Sequence, residues 1–285
     1  MKHLKAAAIL TAVSLFIPSL SSAFDLSLRI SSGLGWLKAA EVNSALAGWR
    51  EGWKLKTEID PNMSLESESS GPLHLGIDFE TELLFSFSRW LGVGVSAGYA
   101  FASRDEKQTL LSISQKGILY DYARPTKISA YPIFLSLYAM LPLGQKFRAY
   151  LRGGLGSIRT TYVVREANKK AEAPRFSYSV YNNAKASCRG YLGSLGLSYA
   201  FDQSLGFFIE AMVRSARVSG FEGEDMLGVK GRLYAYEEYR PDIDFWQSRT
   251  SLLPEEPGGE TIRNVREATV DFSGYSARIG LFLKF

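Results

Sequence analysis

The chain has 285 residues, a mass of 31.6 kDa, 13% aromatic residues and 26 glycines, a balance that suits tightly packed strands in one large or two modest domains. Its formal charge is +4, and because Lys2 and Lys5 sit in an amino-terminal leader the rest is nearer neutral, which excludes nucleic-acid binding through a basic face. The single cysteine, Cys188, excludes an intrachain disulfide framework, and the absence of a cysteine near the leader argues against a lipoprotein anchor.

The leader reads as an export signal. Lys2 and Lys5 form a positive n-region, residues 6–17 an apolar stretch too short to span a bilayer, and Ser21, Ser22 and Ala23 a small-residue cleavage site. We expect residues 1–23 to be removed and residues 24–285 to form a single domain. An uncleaved anchor helix is the competing reading, and the short apolar stretch disfavours it. No later stretch approaches the roughly 20 apolar residues of a membrane helix, so any membrane crossing must use strands.

Strand-like alternation begins at once. In residues 24–36, Phe24, Leu26, Leu28 and Ile30 alternate with Asp25, Ser27, Arg29 and Ser31. In residues 75–87, Leu75, Ile77, Phe79, Thr81, Leu83, Phe85 and Phe87 oppose Gly76, Asp78, Glu80, Glu82 and Ser86. Three carboxylates on one face cannot meet lipid, and need water or counter-charges. Further strands are expected over residues 91–101, 131–141, 147–155, 191–201 and 205–215, the last setting Phe207, Ile209, Ala211 and Val213 against Glu210, Met212 and Arg214. The eighth, residues 275–285, runs to the carboxy terminus with Tyr275, Ala277, Ile279, Leu281, Leu283 and Phe285 on one face. Arg278, Gly280 and Lys284 lie on the other, and Phe282 breaks the pattern.

Each segment is about the 9 to 11 residues of a tilted membrane strand. Long connections (37–73, 102–130, 156–190, 216–274) alternate with short ones (88–90, 142–146, 202–204), the rhythm of transmembrane barrels with long outer loops and short periplasmic turns. Aromatics stand at both ends of the expected strands. Phe87, Trp90, Phe147, Phe201, Phe207 and Phe285 lie at the short turns, and Trp36, Tyr99, Phe101, Tyr131, Tyr191 and Tyr275 at the long loops, as membrane girdles would. A lipocalin-like barrel or a β-sandwich shares the alternation with its faces reversed or its aromatics internal.

The terminal pattern, with Arg278, Gly280, Leu283 and Phe285, resembles the sorting signal of outer-membrane β-barrel proteins. The run YPIFLSLYAMLPLGQKFRAYLRGGLG (131–156) resembles a central hairpin of the small OmpA/OmpX-like superfamily, although the loops are longer than in its smallest members. The resemblance implies an all-β fold, an eight-stranded antiparallel up-and-down transmembrane barrel with four long extracellular loops, in the outer membrane of a diderm bacterium. It also implies recognition of the last strand by the barrel assembly machinery, contact with outer-membrane lipids, and a monomer.

The inward positions carry Asp25, Arg29, Asp78, Glu80, Glu82, Arg148, Arg152, Glu210, Arg214, Arg278 and Lys284. In a bore just wide enough for side chains they must be paired or wetted, giving either a salt-bridged plug, which the narrow bore favours, or a gated polar pathway. His74 is the only histidine after the leader and is expected at the outer rim on the face of Asp78. No serine in a family motif accompanies it, so a solvated rim histidine outweighs a catalytic one. Gly92-x-Gly94 and Gly153-Gly154-x-Gly156 lack the strand-to-helix context of a phosphate loop and read as space for bulky neighbours. Cys188 is expected to be inert, and neither a metal-ligand cluster nor a cofactor motif is visible.

Residues 38–72 open with a helix-like pattern holding Trp49 and Trp53. Residues 233–239 and 261–271 are expected to prolong the seventh and eighth strands as a protruding ribbon, a surface for a partner by strand addition or merely a mobile loop. The expected role is non-enzymatic, structural or surface-interacting, with a narrow channel for small solutes as the alternative and a lipid-modifying enzyme third. Deleting Phe285, or replacing Gly280 with a bulky residue, should leave the chain exported but poorly inserted, read as loss of the heat-modifiable, protease-resistant species. Normal levels of that species after both changes would count against the terminal strand as the closing element.

Overall fold

The structure, a computed structural model, describes residues 25–173 and 175–285; the expected leader and Phe24 lie outside the described residues. The elements in order are β1 (Asp25–Trp36), α1 (Ala40–Ile59), β2 (Met63–Ser70), β3 (Leu75–Ser86), β4 (Leu91–Arg104), β5 (Thr109–Gln115), β6 (Ile118–Ala123), β7 (Thr126–Pro142), β8 (Phe147–Lys170) and β9 (Ser177–Ala200). They continue with β10 (Leu205–Ser215), β11 (Arg217–Val218), β12 (Glu222–Asp225), β13 (Lys230–Arg240), β14 (Phe245–Leu253), β15 (Ile262–Glu267), β16 (Val270–Asp271) and β17 (Gly274–Lys284).

The fold is all-β apart from α1, and every strand pairing among the described residues is antiparallel. In succession β1, β3, β4, β7, β8, β9, β10 and β17 pair each with the next. β17 then pairs back with β1 from Ser27↔Lys284 to Gly35↔Ser276, so the circuit closes. Closure removes the free edges that an open sheet would expose. Pro132 cannot donate to a ladder, and the β4 pairing skips from Ala97↔Ile133 to Ala100↔Ala130 around it.

The alternation of the ring strands places apolar residues outward. Ile30, Phe79, Val95, Leu137, Leu151, Leu195, Ile209 and Ile279 are all exposed, whereas Ser31, Glu80, Ser96, Ser136, Arg152, Ser194, Glu210 and Arg278 are buried. In water such a belt would far exceed the few hundred Å² of apolar patch that soluble monomers tolerate. Aromatics border it at both ends. Tyr199 packs with Phe147, Phe201 and Phe207 near the short turns, and Tyr99 with Tyr131 and Phe101 near the long loops.

Beyond the belt the pattern inverts. On β8, Ser157 and Arg159 face out while Ile158, Thr160, Tyr162 and Val164 are buried inside. On β9, Lys185, Ser187 and Arg189 face out and Ala184 is buried. Both strands therefore continue past the expected ends at Leu155 and Tyr191 as a polar-faced ribbon, paired as far as Asn168↔Ser177. The ribbon carries side sheets. The β5–β6 hairpin, turned by Lys116 and Gly117 at positive φ, joins through β6 to β8 and through β5 to β2, while β12 joins β9 and leads to the β13–β14 hairpin with β15 on its flank.

α1 closes this upper lobe. Val42, Ala45, Leu46, Trp49 and Gly52 recur at helical spacing and are buried, Glu41 and Lys56 complement the helix dipole, and the helix stops at Asp60 before Pro61. The stop is fixed by Asp60, whose Oδ1 accepts the backbone N–H of Asn62 at 2.9 Å, and the bonds from Asn62 hold its carboxyl below the usual range. The buried face of α1 lies against β14, and a Cβ on Gly48 would stand 2.8 Å from the Ser248 backbone nitrogen and oxygen.

The expected protruding ribbon is corrected. β10 and β17 are prolonged only by the two-residue pairing of β11 with β16, and residues 233–239 form part of β13 instead, folded over the mouth of the ring. Leu233, Ala235, Leu252, Ala268, Val270 and Phe272 are buried with Leu37, Val42 and Leu46 in one apolar core. Each large aliphatic side chain so buried contributes about 1.5 to 3 kcal/mol, which draws the segment inward and not into solvent. Gly48→Val should push α1 off β14. The lobe should then become sensitive to protease near residues 40–62 while the ring keeps its heat-modifiable mobility; unchanged protection of α1 would refute the close approach.

Candidate functional site

The ring's interior is layered. Nearest the short turns, Leu84, Tyr138, Met140, Tyr150, Phe208 and Phe282 form an apolar cluster. This accounts for Phe282, the apparent break in the terminal pattern: it points inward over Gly206, where a Cβ would collide with its ring. Above it lies a layer of charges, and above that the apolar core, beginning with Phe134, Leu192, Met212 and Ala100 and ending under α1.

The charged layer is a chain of ion pairs. Arg278 donates Nε and Nη2 to the two carboxylate oxygens of Asp78, each at 3.1 Å, and its Nη1 lies 3.0 Å from Glu80. Arg152 donates Nη1 to Glu80 at 2.7 Å and reaches Glu82 at 3.3 Å and Glu210 at 3.5 Å. It is steadied by bonds of 3.0 Å to each of Ser136 and Ser96. Arg29 pairs with Glu82 at 3.3 Å, donates to Tyr138 Oη at 2.8 Å and to Tyr150 Oη, and lies 3.9 Å above the Phe208 ring. The two tyrosines pass bonds on, Tyr138 to Glu82 at 2.5 Å and Tyr150 to Glu210 at 3.1 Å.

Glycines make the room. Gly33 lies between Asp78 and Arg278 across three strands, and a Cβ there would strike the Arg278 side chain, so the bidentate pair closes over β1 only because the position is bare. Gly94 does the same for Glu82 and Tyr138, and Gly196 for the Tyr150 ring.

The structure thus brings together Arg29, Asp78, Glu80, Glu82, Arg152, Glu210 and Arg278, all buried. Arg214 is buried just above, donating Nε to the Phe272 carbonyl at 3.2 Å and forming no ion pair among the described residues. Its charge completes four guanidiniums against four carboxylates. The expectation that Asp25, Arg148 and Lys284 share this network is corrected. Asp25 is exposed, Arg148 and Lys284 are half-buried, and all three line a separate vestibule at the short-turn end. Arg29, Tyr138 and Tyr150 line its inner side, and among the described residues neither Arg148 nor Lys284 forms an ion pair with the carboxylates of the layer.

Tyr138 and Tyr150 belong to the network although the sequence reading does not single them out. Their inward parity with Ser136 and Arg152 is the available signal, outweighed by the usual placement of tyrosine in a girdle. His74 is not beside Asp78. It is half-buried, stacked on the outward-facing Trp36 at 5.5 Å and 7°. Cys188 packs half-buried against the upper core. In the terminal strand Leu283 and Phe285 are exposed on the belt, Gly280 is buried under Phe208, and the Phe285 N–H bonds the Leu26 carbonyl at 2.9 Å.

No protein-family model matches the sequence, and no curated protein matches it. Among solved structures it is similar to the outer membrane protein OprG from Pseudomonas aeruginosa, with 13% identity over 92% of this chain and 96% of that chain and a TM-score of 0.39. A major outer membrane protein from Thermus thermophilus aligns with 12% identity over 91% of this chain and 99% of that one, also at a TM-score of 0.39. The translocator domain of the autotransporter NalP from Neisseria meningitidis aligns at a TM-score of 0.20 with 11% identity over 100% of this chain and 96% of that one.

Removing one member of the charged layer leaves the buried layer with one uncompensated charge. Glu80→Ala or Arg152→Ala should each cost about 3 to 5 kcal/mol where the layer stays dry, lowering the unfolding midpoint in urea with an unchanged slope. The double substitution should cost less than the two single costs combined. Additive costs would show that the pair is not coupled.

Proposed function

We propose that the chain is an eight-stranded transmembrane β-barrel of the outer membrane, non-enzymatic, with a sealed lumen and a folded extracellular lobe that serves as a surface platform. The observation that carries this reading is the filling of the ring, a neutral layer of buried charges between two apolar layers. A ring of this size has an interior that side chains alone can fill, and the apolar clusters on either side of the charges support that reading. The apolar belt and its two aromatic borders support the membrane placement, and the change of facing between Leu155 and Ser157 supports a boundary there.

The pairing of β17 with both β1 and β10 supports closure by the last strand, and hence recognition of the terminal signal by the assembly machinery. The lobe supports an interaction role because it is built, not slack. Its exposed pairs, such as Arg263 with Glu237 at 2.7 Å, hold the Glu237 carboxyl below its usual range and fix the β13–β15 surface. A catalytic role finds no support at His74, whose ring is stacked against Trp36.

In planar bilayers the purified protein should give little or no steady conductance, while Glu80→Ala should introduce intermittent openings. A large, stable wild-type conductance indifferent to that change would replace the sealed barrel with a channel. Protease added to intact cells should cut at residues 171–176 or 254–260 and spare Gln145 and Gln203; the reverse pattern would invert the orientation.

A further inference from the structure

We propose that the vestibule at the short-turn end of the lumen is a binding site for a small amphiphilic carboxylate, an apolar body carrying one acid group. The cavity has a volume of about 90 Å³. Its inner wall combines Leu84, Met140, Phe282 and the Tyr138 and Tyr150 rings of the lower cluster with the Arg29 guanidinium. Its rim is cationic. Lys146, Arg148 and Lys284 line it against a single carboxylate, Asp25, which is exposed and forms no ion pair with any of them among the described residues.

Two of these cations are inward-facing and half-buried in a narrow bore, where an unpaired charge is costly. Among the described residues Arg148 has only the Met140 sulfur, at 3.5 Å, as a side-chain partner, and the Lys284 ammonium lies 5.7 Å from the centre of the Phe282 ring. The carboxylates that neutralise the lumen do not reach them. Glu82 and Glu210 are held by Arg29 and Arg152 and accept bonds from Tyr138 and Tyr150. The vestibule therefore offers excess positive charge at its mouth and, at its depth, the apolar side chains of Leu84, Met140 and Phe282 around an Arg29 whose charge is already paired. A carboxylate whose short apolar body enters first would satisfy both, placing the acid between Arg148 and Lys284, where a guanidinium can grip it with two parallel bonds. A bare inorganic anion would leave the apolar wall uncovered, and a neutral alcohol would leave the cations unpaired.

The test uses the mature protein refolded in detergent micelles, so its outcome is independent of any insertion assay. Hexanoate is titrated while the amide resonances of Gly144, Gln145 and Lys146 are followed in nitrogen-15-labelled protein. Saturable shifts are expected for hexanoate, with affinity falling about tenfold or more in Arg148→Gln and in Lys284→Gln, equivalent to about 1.4 kcal/mol each. Hexanol and inorganic phosphate should each bind at least about tenfold more weakly than hexanoate. If Lys284→Gln does not refold, Arg148→Gln decides alone. Absence of saturable shifts, unchanged affinity in Arg148→Gln, or equal affinity for hexanol or phosphate overturns the proposal.

Discussion

A closed ring this narrow has room for side chains and little else, and the charged layer shows how that constraint is met. Asp78, Glu80 and Glu82 project from one strand, β3, into the bore, and nothing on β3 can neutralise them. Their counter-charges arrive from elsewhere: Arg29 on β1, Arg152 on β8 and Arg278 on β17. An unpaired carboxylate at such a site costs several kcal/mol, so a register that satisfies all three is strongly selected over one shifted by a residue, which would turn the whole row to the apolar outer face. Gly33, Gly94 and Gly196 belong to the same solution, since the long side chains meet across intervening strands only where a Cβ is missing.

Much of this is legible in the sequence because the alternation is strict where the outer face of the ring is apolar and the inner face polar. The strand expected at residues 75–87 is found at Leu75–Ser86, and the terminal strand expected at 275–285 is found at Gly274–Lys284. Legibility fails where that facing changes. Above Leu155 the strands keep their period of two, yet Ser157 and Arg159 take the outer face and Ile158 and Tyr162 the inner one. A search for apolar-out alternation ends there, although the strand runs on to Lys170. The site is half legible for a related reason. Parity puts the charges inside, but depth along the bore, which separates Arg148 and Lys284 from Glu82 and Glu210, depends on strand stagger that no single segment reveals.

The change of facing also explains how a long-looped chain stays orderly. Once the outer face is polar, the inner face must find apolar partners, and the loops supply them in Val42 and Leu46 of α1, Leu233 of β13 and Leu252 of β14. The lobe is in effect a soluble domain built on strands that begin in the apolar belt. Its core runs continuously into the upper plug through Phe134, Leu192 and Met212. The loops and the upper filling of the ring therefore share one core, against which α1 packs.

The order in which the chain is made gives the charged layer a further consequence. Asp78, Glu80 and Glu82 are synthesised early, and Arg278 comes last, on the strand that completes the ring. Until β17 lies between β10 and β1, Asp78 has no guanidinium bonded to it and Glu80 has only Arg152. Closure thus does more than pair two backbone edges: it brings the cation that settles the upper half of the layer, and the same strand inserts Phe282 into the apolar floor beneath. A ring without β17 would leave carboxylates unpaired in its bore, which makes it unstable relative to the finished one. The inward face of the final strand, Arg278, Gly280 and Phe282, therefore drives closure alongside the pairing of its backbone edges, because each of its three positions finds its partner only when the ring is complete.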